Sequence, residues 1–220
     1  MASFPAQPDL VPTIRRWADR LRYAARVMAA ELESLLTDDA RDRFIASFRD
    51  EFGHRRPIDE PLLRCVLSRP VRAPSGVLPT DERLWWCLAS RDSFPPRALR
   101  AAGGALTPGF GREPIESWTE REMRVMHAAI NHAISSRDSA LFDRVIDAAD
   151  WLMDNVQTDN ATNRPWGVHA VIIRGVLGHT HAEHDAAGML HAATAATGEA
   201  DRLSQIILLD AARTLDRWIA

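Results

Sequence analysis

The chain has 220 residues, 46% of them hydrophobic, with a formal charge of −3 and two cysteines; that is enough for one generous domain or two small ones with a real core. All 27 basic residues are arginine, which excludes lysine Schiff bases, a Walker-type phosphate lysine and lysine general bases. There is no basic block, and no apolar run approaches the roughly 20 residues of a membrane span. The composition therefore leads us to expect a soluble cytoplasmic protein with neither nucleic acid nor membrane among its partners.

Apolar spacing reads as helix almost throughout. Leu10, Ile14, Trp17, Leu21, Ala24, Met28, Leu32 and Leu35 recur at steps of three and four, predicting one long amphipathic helix. A shorter helix is expected from Asp38 through Phe44, Phe48 and Phe52, closed by Gly53. Two more fall around Leu62–Leu67 and Leu84–Leu88. Prolines and glycines then crowd the stretch 93–117, which is read as an irregular, mobile linker or lid between an N-terminal region (1–92) and a C-terminal region (118–220). No GxGxxG spacing marks it as a nucleotide cradle.

Beyond it, Thr119 with Glu122 has the spacing of a capping box ahead of Met123, Met126, Ile130 and Ile134. Asp138 opens the next helix. Pro165 suits the first turn of a helix carrying Trp166, His169, Ile172, Ile173 and Val176. Thr180 and Glu183 form a second capping box, and a last helix runs from about Asp201 to Trp218. The expectation is an all-α protein of about nine helices, a bundle or stack of helical hairpins with a solenoid- or toroid-like C-terminal half. The segments from His127 and from His191 share H-A-A followed by [IL]-D-A-A-x-x-L, superposing Asp147 on Asp210, as two repeated hairpins would.

Histidine is the one residue type whose placement hints at chemistry. His179, His181, His184 and His191 lie within thirteen positions, and imidazole both titrates near neutrality and binds metals. His169 sits within an apolar stripe and His127 at the edge of one; each is read first as a satisfied core histidine and second as a catalytic acid or base at a pocket floor. His184 and His191 share a helix flank with Gly188 and small alanines, a face suited to close packing or to lining a cavity, with Arg174 as an added anion contact. His179, His181, His184 and Asp185 are a candidate zinc or other divalent-metal set, opposed by the positive end of the helix dipole; no cofactor is favoured. Cys65 and Cys87 form no CxxC pair and are read as packing residues.

Two functions remain open. The favoured one is a helical scaffold that binds a protein partner or itself through the long N-terminal helix. The rival is an enzyme or small-ligand-binding protein whose histidine-lined pocket, taking a metal or an anion, lies in the C-terminal half.

Overall fold

The computed structural model describes residues 6–69, 72–92, 94, 99, 104–109, 111, 114–156, 164–195 and 198–220. Among them are ten helices and no strand: α1 (Val11–Ala24), α2 (Arg26–Glu33), α3 (Asp38–Ser47), α4 (Asp59–Val66), α5 (Thr80–Ser90), α6 (Ile115–Ser136), α7 (Ser139–Asn155), α8 (Val168–Val176), α9 (Ala182–Thr194) and α10 (Arg202–Ile219). The all-α expectation holds. The tenth helix arises because the first stripe is carried by two helices rather than one.

That break falls at Ala25, whose backbone leaves the helical region (φ −108°, ψ 17°) although no glycine or proline is near. A helix start leaves its first N–H groups without partners. Here the buried Gln205 side chain on α10 accepts a hydrogen bond from Met28 N at 2.8 Å, and its own amide is tied to Ala200 O. A distant residue thus makes the break tolerable. The stripe still faces inward through it, with Ile14, Trp17, Leu21, Ala25, Met28 and Leu32 all buried.

Three other ends differ from expectation for local reasons. Helix α3 stops at Ser47, because Asp50 Oδ1 takes the N–H groups of Phe52 and His54 and closes a turn through Gly53, leaving Phe52 73% exposed. Neither expected capping box forms. Helix α6 begins earlier, after Pro114, so that Thr119 and Glu122 are buried inside it. Helix α9 begins at Ala182 with His181 at its N-cap and no side-chain cap bond. Two acidic caps do form, with Asp138 accepting from Leu141 N and Asp201 from Ser204 N, both at 2.9 Å.

Helix α10 is the axis of the molecule. Leu203, Ile206, Ile207, Leu208, Leu209, Ala211, Ala212, Leu215 and Trp218 are buried around most of its circumference, and it packs against α1, α2, α4, α6 and α8. One hydrophobic cluster draws side chains from Ala6 to Trp218. Helix α7 packs on α6 and α9 on α8. The two similar segments sit in unlike surroundings: His127 and Asp210 are buried, whereas their counterparts His191 and Asp147 are exposed.

Of the Gly/Pro-rich stretch, only residues 94, 99, 104–109, 111 and 114–117 are described, and Gly103 lies outside them. Within it Ala105, Leu106 and Thr107 are buried. Glu122 Oε1 accepts from Leu106 N, and its Oε2 accepts from Thr107 N (2.8 Å) and Thr107 Oγ1 (2.6 Å). From α7, Arg144 donates to the carbonyls of Gly104 and Ala105. Gly104 has φ +96°, and a Cβ there would lie 2.5 Å from the Trp151 ring, so only glycine fits.

Candidate functional site

Helices α6 and α10 meet through two pairs of polar residues, each spaced four apart and therefore on one face of its helix. His127 and Asn131 on α6 oppose Asp210 and Thr214 on α10, and all four are buried. His127 Nε2 lies 3.2 Å from Asp210 Oδ2, and Asn131 Nδ2 donates to the same oxygen at 2.6 Å. Thr214 Oγ1 donates to Asn131 Oδ1. The backbone N–H of Gly167 donates to His127 Nδ1 at 3.1 Å, which places the ring proton on Nε2, directed at Asp210.

Both nitrogens of His127 are thereby engaged. The ring orients Asp210 and has no free position from which to exchange a proton with a ligand. Burial pushes the Asp210 carboxyl up, but the His127 hydrogen bond, then the Arg217 charge and the Asn131 hydrogen bond, hold the group below the ordinary carboxylate value of 3.8. Asp210 is an ionised carboxylate in the interior.

His169 on α8 stands against His127, with ring centroids 4.1 Å apart, and His127 in turn packs against the rings of Trp85 and Trp166. Neither of its nitrogens makes a hydrogen bond, and the indole N–H groups of Trp85 and Trp166 are likewise unpartnered. Burial first, then the neighbouring His127 ring and Arg217, push His169 well below the ordinary 6.5. It is a neutral imidazole throughout the physiological range.

Asp210 and Asn131 also line a cleft of about 510 Å³ between α4, α5, α6 and α10. Its wall includes Cys65, Cys87, His132, Ser135 and four arginines. Two of these are committed elsewhere: Arg64 to Glu60 and Asp42, Arg69 to Asp38 and Asp42. Arg217 donates to Ser135 Oγ at 3.0 Å and acts on Asp210 through its charge alone; neither it nor Arg91 forms a salt bridge among the described residues. Burial raises both cysteines above their ordinary value, so they are thiols rather than nucleophiles, and both pack against the core as expected of them.

The sequence-derived candidates thus divide. His127 and His169 come together; His184 and His191 are exposed on α9, with Gly188 half-buried between them, and do not join that pair. Arg174 is engaged by Asp150 (2.6 Å) and by Leu177 O, which removes it as an anion contact for α9. His179 turns toward α7, 3.9 Å from Asp150 and 3.8 Å from Asp154, while His181 and His184 face solvent. Among the described residues no group of three or more His, Cys, Asp or Glu could hold a metal ion, so the zinc alternative on His179, His181, His184 and Asp185 has no geometric basis.

Sequence reading passed over Asn131, Asp210 and Thr214 as site residues. The usable signal was an H-x-x-x-N and a D-x-x-x-T on two helices, each otherwise apolar on that face. Compared with protein-family models, curated proteins and solved structures, the chain matches none.

Proposed function

We propose that the chain binds a small amphoteric molecule in the cleft floored by Asp210 and Asn131. Its ammonium or hydroxyl donor would meet the Asp210 carboxylate, and its acidic group would meet Arg217, with Arg91 at the rim. The observation that carries this reading is the buried carboxylate of Asp210, held by His127 and Asn131 at the wall of a cleft that also carries Arg217 and Arg91, neither of them in a salt bridge among the described residues. Desolvating a carboxylate is costly, and for Asp210 that cost is offset by two oriented donors, His127 and Asn131, at the wall of a cleft. A volume of about 510 Å³ suits a small ligand. His127 and Asn131 serve as positioning residues that keep Asp210 ionised and fixed.

The test is thermal denaturation in the presence of free α-amino acids, the corresponding amines lacking the carboxyl group and the corresponding acids lacking the amino group. A compound carrying both groups stabilises the protein, by about 2.7 kcal/mol at a hundred times its dissociation constant, and neither half-compound does so comparably. Arg217→Gln, an exposed change, removes the stabilisation by the amphoteric compound; Asp210→Asn removes it as well. The reading fails if no amphoteric compound shifts the transition, or if the shift survives Arg217→Gln.

A further inference from the structure

On the far side of α1, a groove of about 920 Å³ runs between that helix and the end of α9. Its floor is apolar, formed by Pro12, Tyr23, Ala24 and Leu190. Tyr23 is 71% exposed, and Val27, one turn further along, is 51% exposed. Above this floor stand Arg15, Arg16, Arg20 and Arg26 against a single acid, Asp19.

The charges do not cancel locally. Asp19 is already paired with Arg22 at 2.9 Å, and Arg26 with Glu199 at 2.6 Å. Arg15, Arg16 and Arg20 have no carboxylate partner among the described residues; Arg20 lies over the Trp17 ring at 4.1 Å. In a chain of net charge −3, this is a concentration of uncompensated positive charge around an exposed aromatic and aliphatic stripe. Arginine with tyrosine is the composition that carries binding energy at protein interfaces.

We infer that this groove docks an acidic amphipathic helix of another protein, lying alongside α1 over roughly 20 Å, the length of a fourteen-residue helix. The partner's apolar stripe sits on Tyr23, Ala24 and Leu190, and its flanking carboxylates meet Arg15, Arg16 and Arg20. A nucleic acid would satisfy the arginines but leave the apolar floor uncovered. The inference is independent of the cleft at Asp210, on which nothing here rests.

Fluorescence anisotropy with a labelled synthetic helix, leucine at positions i, i+4, i+7 and i+11 and glutamate elsewhere, measures the interaction directly. The full-length protein binds it saturably. The double reversal Arg15→Glu and Arg16→Glu, at two exposed positions, weakens binding at least about tenfold, and Tyr23→Ala does so through the apolar arm. A poly-glutamate peptide without leucine binds at least about tenfold more weakly than the amphipathic one. Absence of saturable binding, equal binding by the reversed variant, equal binding of poly-glutamate, tighter binding of a single-stranded oligonucleotide, or concentration-dependent dimerisation abolished by the same reversal would each overturn the inference.

Discussion

At the scale of single residues, His127 and His169 show how one side-chain type takes two roles a few ångströms apart. His127 has an acceptor on one nitrogen and a donor on the other, so its burial costs little beyond desolvation. His169 has neither and remains neutral because burial disfavours its charged form. In the unfolded chain that imidazole binds a proton below about pH 6.5, so between that value and its lower folded value the unfolded state holds the extra proton. Stability therefore falls as pH drops below 6.5, by up to about 1.4 kcal/mol per pH unit from this residue, and the contribution is complete above 6.5. Burial also lowers His132, and it raises Glu82 and Glu122, whose linkage has the opposite sign. The share due to His169 is isolated by comparison: urea unfolding of His169→Leu at pH 7.5, 6.0 and 5.0 shows a shallower loss of stability toward acid than the parent. Parallel slopes would mean that His169 titrates alike in both states.

At the scale of elements, apolar periodicity located α1, α4, α5, α6, α7, α8 and α10, because each buries a continuous face and burial is what periodicity encodes. Ends were less legible. The break at Ala25 depends on Gln205, 180 positions away, and no local residue announces it. The site was half legible for the same reason: stripes revealed that His127 and His169 are interior, but the partner that gives His127 its function, Asp210, lies on another helix. His184 and His191 misled because a flank of alanine and glycine is small whether or not another helix covers it. Glu122 carries the most testable consequence of a misplaced cap. Its sequence position resembled the third residue of a helix, yet inside α6 it captures the backbone of Leu106 and Thr107, and burial raises its carboxyl above the ordinary value despite those bonds. Glu122→Ala leaves two interior N–H groups without acceptors, a loss of about 1–3 kcal/mol for each. Residues 104–107 become a protease-sensitive loop, while the helical circular dichroism of the native state stays close to that of the parent. A variant with unchanged protease resistance would show that Arg144 alone holds the segment.

At the scale of the whole molecule, the first and last described segments are joined to each other. Ala6 N donates to Trp218 O at 2.9 Å, Arg22 pairs with Asp216, and Arg202 pairs with Glu31 at 3.0 Å. Arg164 bridges Glu51 and Asp201, tying the turn after α3 to the cap of α10. The exposed members of this set contribute little individually. What binds these segments together is apolar: Ile14, Trp17, Ala18 and Leu21 on α1 are buried with α10, the helix whose sides nearly all face the interior. Helix α10 also supplies Asp210 to the cleft, so the N-terminal region and the candidate site share one support. Trp17→Ala therefore costs about 3–5 kcal/mol, the range for a large aromatic removed from a core, although it lies outside the cleft. Its loss should also weaken cooperativity nowhere: tryptophan fluorescence and far-ultraviolet circular dichroism fall in one coincident transition, shifted together to lower denaturant. By the same argument, separately produced fragments 1–92 and 118–220 stay largely unfolded alone and gain helical signal when mixed. Two resolved transitions in the intact chain, or a 118–220 fragment that folds cooperatively by itself, would show that α10 needs no N-terminal partner and that the cleft belongs to the C-terminal region alone.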